Sequence, residues 1–518
     1  MQATALTLAL VGLDAQLIQV EVDSGRGPTA FHMVGLPEAS VREARVRVKA
    51  AIEQAGLDID EYVLTVNLSP ADMKKSGCSF DLAIALAILA AVKKVPPEAL
   101  LSTVLLGELS LSGQVRPIRG VLPSLFAARA RGITRAVVPA ANAEEAAAAR
   151  GMDVRIAEHL GDVLAHLRGT CELPTPAAIP RNAAPRVPDL VDFGEVRGQI
   201  AARRALEIAA AGGHNAILFG PPGAGKTMLA RRLPTILPPL DDTDALTLTA
   251  IYSVSGLLRS DQGLLTVRPF RAPHHTVSEV GLVGGGVPIR PGEVSLAHGG
   301  CLFLDELLEF RRSALEALRT PLEDGVVTIA RARERVTFPA EPIVVAAVNP
   351  CPCGYAPLPR CTCSRDRIEK YVARLSGPVL DRIDLQLRLP AVAVGDLVGQ
   401  GGGEGSAAMR QRVLRARDVQ RDRQLRGEVG AKGNASLGPR DLGRVCSIDR
   451  AAESLLASAT EKLGLSARAW AKVLRVARTI ADLDGADGVR TPHIAEAVQL
   501  RLPARRLGRE ERAVVSAE

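Results

Sequence analysis

The run Gly220-Pro221-Pro222-Gly223-Ala224-Gly225-Lys226-Thr227 has the residue types and spacing of a phosphate-binding loop. Glycines let backbone N–H groups converge on the β- and γ-phosphates of a nucleotide. Lys226 adds a point charge, and the Thr227 hydroxyl can ligate Mg²⁺ at the positive end of a following helix. Such a loop needs a strand before it and a helix after it. The chain supplies both: the apolar run Ala216-Ile217-Leu218-Phe219 precedes it and a helical pattern begins near Met228. A chance Gly/Pro turn would not bring all the fixed positions and this context together.

A second constellation would turn binding into hydrolysis. Cys301-Leu302-Phe303-Leu304 reads as a short buried strand that ends in Asp305-Glu306. At the C-terminal end of a parallel strand beside the phosphate loop, Asp305 can hold the Mg²⁺ shell, and Glu306 can orient and polarise the attacking water. Alone, such a run is equally a strand entering a solvated turn; the loop at Gly220 argues for chemistry. A third apolar run, Ile343 to Val348, ends in Asn349. That neutral polar tip suits sensing of the γ-phosphate, or, because Asn-Pro marks turns, merely the end of the strand.

Four of the eight cysteines lie close together as Cys351-Pro-Cys353 and Cys361-Thr-Cys363. Two C-x-C pairs in a Gly/Pro-rich stretch can bring four thiolates around one tetrahedral Zn²⁺. Unliganded thiols and a redox switch are the alternatives, and a disulfide is disfavoured in a cytosolic chain. The isolated Cys78, Cys171, Cys301 and Cys446 read as small buried apolar residues.

These sites need several supporting units. A chain of 518 residues suggests roughly three or four domains. With 47% hydrophobic and 3% aromatic residues it reads as globular, Ala/Leu/Val-rich and poor in base-stacking platforms. The longest uncharged apolar run, Leu82 to Val92, is too short to span a bilayer, and no basic n-region opens the chain. A cytoplasmic protein with no membrane partner is expected. The net charge of +7 permits a polyanionic partner without requiring one. Pro-rich sequence within 171–190 reads as a linker after an N-terminal domain of residues 1–170. The ATPase core then spans 191–398, a Gly-rich linker 399–406, and a helical domain 407–518. In the last, Arg410 to Arg426 holds seven Arg against two Asp. Met409, Val413 and Ala416 would form its buried stripe, and the run reads as a lid helix or a DNA contact.

Taken together, Phe270-Arg-Ala-Pro-His-His-Thr276, Leu282-Val-Gly-Gly-Gly286, Pro291 to Gly300, Leu302 to Phe310, Asn349-Pro-Cys-Pro-Cys-Gly354 and Leu375 to Asp384 resemble the magnesium-chelatase-like AAA+ ATPases of the ComM (YifB) group. The resemblance covers essentially the whole chain. It implies an α/β P-loop AAA+ core, a C-terminal helical lid, and ATP and Mg²⁺ as cofactors. It also implies a homo-hexameric DNA motor that drives branch migration on single-stranded and branched DNA during natural transformation, alongside recombination proteins. By motif, Lys226, Thr227, Asp305, Glu306 and Asn349 take the roles above, and Arg382 takes that of an arginine finger for a neighbouring subunit. The alternative for Arg382 is a surface Arg paired with Asp381 or Asp384. Arg468 takes the role of a cis phosphate contact in the lid, with Arg475 and Arg478 as alternatives. For His274 and His275 the resemblance suggests DNA contact near a pore; a packed turn after Pro273 is the plain reading.

Leu105 to Gly120, with Ala127 to Gly132 and Ala136 to Pro139, resembles the proteolytic domain of Lon-type proteases, an α/β fold like that of a ribosomal protein S5. Those enzymes use a Ser-Lys dyad. Here the Lys position falls near Leu122, which cannot act as a base, and Ser79 would lack its partner. A Lon-like domain without catalysis is expected. An ATPase subunit of a magnesium chelatase is the second functional reading, and an ATP-dependent protease the third.

Overall fold

A computed structural model describes residues 1–71, 73, 75, 77, 79–177, 191–331, 334–356, 358–375, 377–391 and 403–501. The N-terminal part is built on a seven-stranded mixed sheet. Its strands are β1 (Gln2–Val11), β2 (Asp14–Arg26), β3 (Ala30–Val34), β4 (Tyr62–Ser69), β5 (Thr103–Leu105), β6 (Arg135–Pro139) and β7 (Asp153–Ala157), in the order β3-β4-β2-β1-β5-β6-β7. Alternation along β2 and β4 buries one face. Helix α1 (Asp81–Ala91) is buried along its whole length, so its sequence shows no amphipathic stripe.

The core sheet has five parallel strands: β8 (Ala216–Phe219), β9 (Phe270–Arg271), β10 (Cys301–Leu304), β11 (Ile343–Val348) and β12 (Leu385–Arg388), in the order β9-β10-β11-β8-β12. Strands β8, β10 and β11 are buried on both faces, which is why they read as unbroken apolar runs. Their C-terminal ends lie together and carry the phosphate loop, Asp305-Glu306 and Asn349. Helix α2 (Lys226–Ile236) leaves the loop, and α3 (Asp242–Ser255) follows, capped by the Asp241 carboxylate.

The lid contains α4 (Ser406–Leu425), α5 (Arg450–Leu463), α6 (Ala467–Leu483) and α7 (Thr491–Gln499). Helix α4 buries Met409, Val413 and Ala416 as its spacing requires. Its arginines serve the packing: Arg412 meets Glu207 and Glu404, Arg417 caps the Ala210 carbonyl, and Arg423 pairs with buried Asp482. These contacts build the run into the lid through three of its seven arginines. The lid and core share one apolar cluster.

Both linkers are partly stitched down. Leu173 is buried, its carbonyl accepts from Arg155, and the Pro174 carbonyl pairs with Ile156. Gly403 N–H donates to the Gly194 carbonyl, and Ser406 is held by Asp192. The remainder of each linker, residues 178–190 and 399–402, lies outside the described residues, as do residues 392–398 of the core and Cys78.

The N-terminal unit docks on α3. Glu145, 4% exposed, accepts hydrogen bonds from the Leu122 amide at 2.7 Å and the Ser253 hydroxyl at 2.5 Å. Ser253 Oγ also accepts from the Gly120 amide at 2.8 Å. Leu246 and Leu264 of the core pack against the N-terminal unit's own apolar cluster. Burial raises the Glu145 carboxyl above its usual range, against the pull of those donors. Leu122, at the position where the Lon resemblance would need a lysine, is fully buried.

Candidate active site

Gly223 and Gly225 adopt left-handed backbone, φ +80° and +86°, which a side chain would strain. A Cβ on Gly220 would stand 2.7 Å from the Leu389 carbonyl. The loop is thereby curled over the start of α2. Lys226 Nζ donates to the Gly220 carbonyl at 2.6 Å, to that of Pro221 at 3.0 Å and to Asn349 Oδ1 at 3.0 Å. Burial lowers its pKa, opposed by the nearby Asp305 and Glu306 carboxylates. Thr227 Oγ1 donates to Asp305 Oδ2 at 2.9 Å. Five of the residues singled out in the sequence therefore meet at one place: Lys226, Thr227, Asp305, Glu306 and Asn349. A nucleotide phosphate offers Lys226 the oxygens it now finds in carbonyls. The Thr227 hydroxyl and Asp305 carboxylate form the hard oxygen pair that Mg²⁺ takes.

The cysteine loop leans directly on this site. Gly354, at φ +84°, presses so closely on the phosphate loop that a Cβ would lie 2.6 Å from Pro222 Cγ. Four thiolates about 2.3 Å from one tetrahedral Zn²⁺ stand about 3.8 Å apart. Here the sulfurs of Cys351, Cys353 and Cys361 lie 3.3 to 3.7 Å apart, and all four ligand atoms fall within 4.8 Å of one another. The backbone N–H groups of Tyr355 and Thr362 pull the Cys353 thiol down to about 6. Donor set and spacing fit a zinc ion. Of the isolated cysteines, Cys301 and Cys446 are buried as expected, but Cys171 is exposed, so packing does not explain it.

The two remaining arginines lie elsewhere. Arg382 precedes β12 beside Asn215, at the N-terminal edge of the sheet and away from the phosphate loop. Its guanidinium donates to the Arg319 carbonyl at 2.8 Å and pairs with Glu323, not with Asp381 or Asp384. Arg468, 69% exposed at the side chain, lies 3.6 Å from the same Glu323. The structure thus groups Arg468 with Arg382 instead of with Lys226, because α6 begins beside the Arg382 segment. The alternatives for its role are both engaged within the lid. Arg478 is fully buried and spends its donors on Asp482 and on the Val445, Ala486 and Asp487 carbonyls. Arg475 caps the Leu437 carbonyl.

Sequence reading missed the clamp behind this pair. Asp384 is buried, with Lys472 Nζ at 2.5 Å, the Asn215 amide at 3.2 Å and His214 Nδ1 at 3.5 Å. Lys472 holds Asp384 far below the usual carboxylate range against the opposing effect of burial. The signal was present as a second Asp in Leu-Asp-Arg-Ile-Asp, but its partner lies 88 residues away. His275 was also unresolved by sequence. Its Nδ1 lies 3.5 Å from Glu306 Oε2, and its ring is tilted 33° against that of His274 with centroids 4.1 Å apart.

A phosphate loop at a strand-to-helix turn, an acidic pair on the second strand over, a polar tip on the strand between them and a helical lid define a P-loop ATPase of the AAA+ class. Three family models match the chain: magnesium chelatase, subunit ChlI over residues 192–397; subunit ChlI of Mg-chelatase over 20–142; and the ChlI C-terminal part over 403–501. The chain is 41% identical over 510 residues to competence protein ComM of Haemophilus influenzae, covering 98% of each chain. It is 42% identical over 496 residues to YifB of Escherichia coli, covering 96% of each. The protein belongs to this ComM/YifB family of magnesium-chelatase-like AAA+ ATPases. The chain is also 32% identical over 130 residues to the archaeal Lon protease of Methanothermobacter thermautotrophicus, 24% of this chain and 20% of that one. Among the described residues no helix is long and apolar enough to cross a membrane.

Proposed function

We propose that the protein is an ATP-driven motor on DNA that promotes branch migration during recombination of incoming strands, working as a ring of identical subunits in the cytoplasm. The observation that carries this reading is near-full-length similarity to a competence protein, supported by a phosphate loop whose Lys226 and Thr227 meet Asn349 and Asp305.

In this reading Lys226 leaves its carbonyl partners for the β- and γ-phosphates, and the loop amides bind the phosphate oxygens. Thr227 and Asp305 would hold Mg²⁺, which supplies charge neutralisation across those oxygens. Glu306 orients the attacking water and takes up its proton, and Asn349 fixes the γ-phosphate. Arg382 serves the nucleotide of the adjacent subunit. Four strand residues, about 13 Å at 3.3 Å each, separate its end of the sheet from its own phosphate loop. Arg468 beside it would serve the same neighbour. Zinc in the cysteine loop would brace the phosphate loop through Gly354 and Pro222.

The test is ATP turnover with and without branched or single-stranded DNA, followed by branch migration on a synthetic four-way junction. Turnover should rise with DNA, and half-maximal stimulation should move to higher DNA concentration as salt increases. The three chelatase-type family matches carry a second reading, an ATPase subunit of a magnesium chelatase. A turnover rate indifferent to DNA at low salt would favour it. The protease reading is opposed by buried Leu122.

A further inference from the structure

A chain of buried polar groups crosses the apolar cluster that joins lid and core. It starts at Arg423 on α4, whose guanidinium holds Asp482 of α6 at 2.9 Å. Asn434 Nδ2 donates to Asp482 Oδ2 at 2.7 Å and to Thr479 Oγ1 at 3.1 Å. Thr479 Oγ1 lies 2.8 Å from Nε2 of His214, which follows the core helix Ile200–Gly212. On the other side of the ring, Nδ1 stands 3.5 Å from Asp384 Oδ2, with no hydrogen-bond partner elsewhere among the described residues. His214 and Thr479 are fully buried.

Stability alone does not call for such a chain, since packed apolar side chains of the same volume join two units as firmly as buried ionic groups do. What directional contacts add is orientation. Helix α6 reaches Asp384 twice, directly through Lys472 at 2.5 Å and through Thr479 by way of His214. These two residues are seven positions apart, about 10.5 Å along the helix at 1.5 Å each. One contact would leave the helix free to pivot about it; two fix its direction. Room is kept for the second: a Cβ on Gly212 would fall 2.2 Å from His214 Nε2 and 2.6 Å from Thr479 Oγ1. Asp384 in turn stands two residues after Arg382. Its segment is held at the backbone, where the Asn215 carbonyl accepts from the Asp384 and Leu385 amides, both at 3.0 Å. Arg501 donates to the Ile383 and Asp384 carbonyls at 3.0 and 3.2 Å. A shift of Asp384 therefore carries Arg382 with it.

We propose that His214 is a positioning residue for Arg382: it ties the lid, through Thr479, to Asp384, so that the lid of one subunit sets where its Arg382 meets the neighbour's nucleotide. The proposal rests on the reading of Arg382 as acting across a subunit boundary.

The experiment uses the full-length protein and two variants, His214→Phe, which keeps a ring but loses both nitrogens, and Thr479→Val, which keeps the shape but loses the hydroxyl. Both should bind a fluorescent ATP analogue as the wild type does, while kcat falls roughly ten- to a hundredfold, the scale on which a misplacement of about 1 Å acts. Mixing then tells which site has failed. Lys226→Ala subunits supply an intact Arg382 and should restore part of the activity of either variant; Arg382→Ala subunits should restore none. The opposite pattern, rescue by Arg382→Ala and not by Lys226→Ala, would place the defect in the variant's own ATP site and overturn the proposal. So would an unchanged kcat, or rescue by neither. If His214→Phe does not assemble, Thr479→Val decides by the same outcomes. Failure of Arg382→Ala and Lys226→Ala to rescue each other removes the reading of Arg382 itself, and the proposal with it.

Discussion

Lys226 and Glu306 stand in one small volume but should fail differently when changed. Lys226→Ala removes the cation that replaces three oxygen contacts with phosphate contacts, and should abolish ATP binding as read by a fluorescent nucleotide. Glu306→Gln leaves every phosphate contact in place, and should bind ATP while its turnover falls to a small residue, trapping the loaded state. Wild-type hydrolysis by Glu306→Gln would remove the second motif from the mechanism. This scale was the most legible in the sequence. Lys226, Thr227, Asp305 and Asn349 were found because backbone strands fix where each side chain emerges, and strand ends can be read from apolar runs. His275 and Lys472 were not, because their partners are set by packing between segments far apart in the chain.

Among the elements, the cysteine loop makes two claims that can be checked separately. Protein purified without chelator should carry about one zinc per chain, as four thiolates around one ion require. A quadruple Ser variant at Cys351, Cys353, Cys361 and Cys363 should lose the metal and some stability and turnover. Gly354→Ala should keep the metal but push the loop off Pro222, raising KM for ATP; an unchanged KM would show that the two loops are mechanically independent. The lid offers a third check. Lys472→Met leaves the buried Asp384 carboxylate without its cation, a change worth about 3–5 kcal/mol, and should move the denaturant midpoint down accordingly. An equal midpoint would mean that His214 and the Asn215 amide suffice. The helical lid was visible as apolar periodicity over α4 to α7, yet the docking of its arginines was not. The run of seven Arg and two Asp does not show that Glu207, Glu404 and Asp482, all outside it, hold Arg412 and Arg423.

For the whole molecule, the role proposed for Arg382 requires a partner copy. Arg382→Ala should leave ATP affinity nearly intact and cut turnover by a factor on the order of 10³ where such a residue is fully used. Mixing it with Lys226→Ala should restore part of the activity, since some interfaces then pair an intact Lys226 with an intact Arg382; an arginine that only holds Glu323 would show no such rescue. The N-terminal unit carries a different kind of dependence. The Leu122 amide is fixed by Glu145, whose other bond reaches Ser253 of the core. The spot that a peptidase would give to its lysine is here part of a joint between the N-terminal unit and the core. Putting a lysine back would bury an ammonium at the amide end of a helix, among Leu6, Leu8 and Val104. Leu122→Lys should therefore strain the seam on α3 instead of creating a peptidase, which makes this position a matter of how the two units hold together.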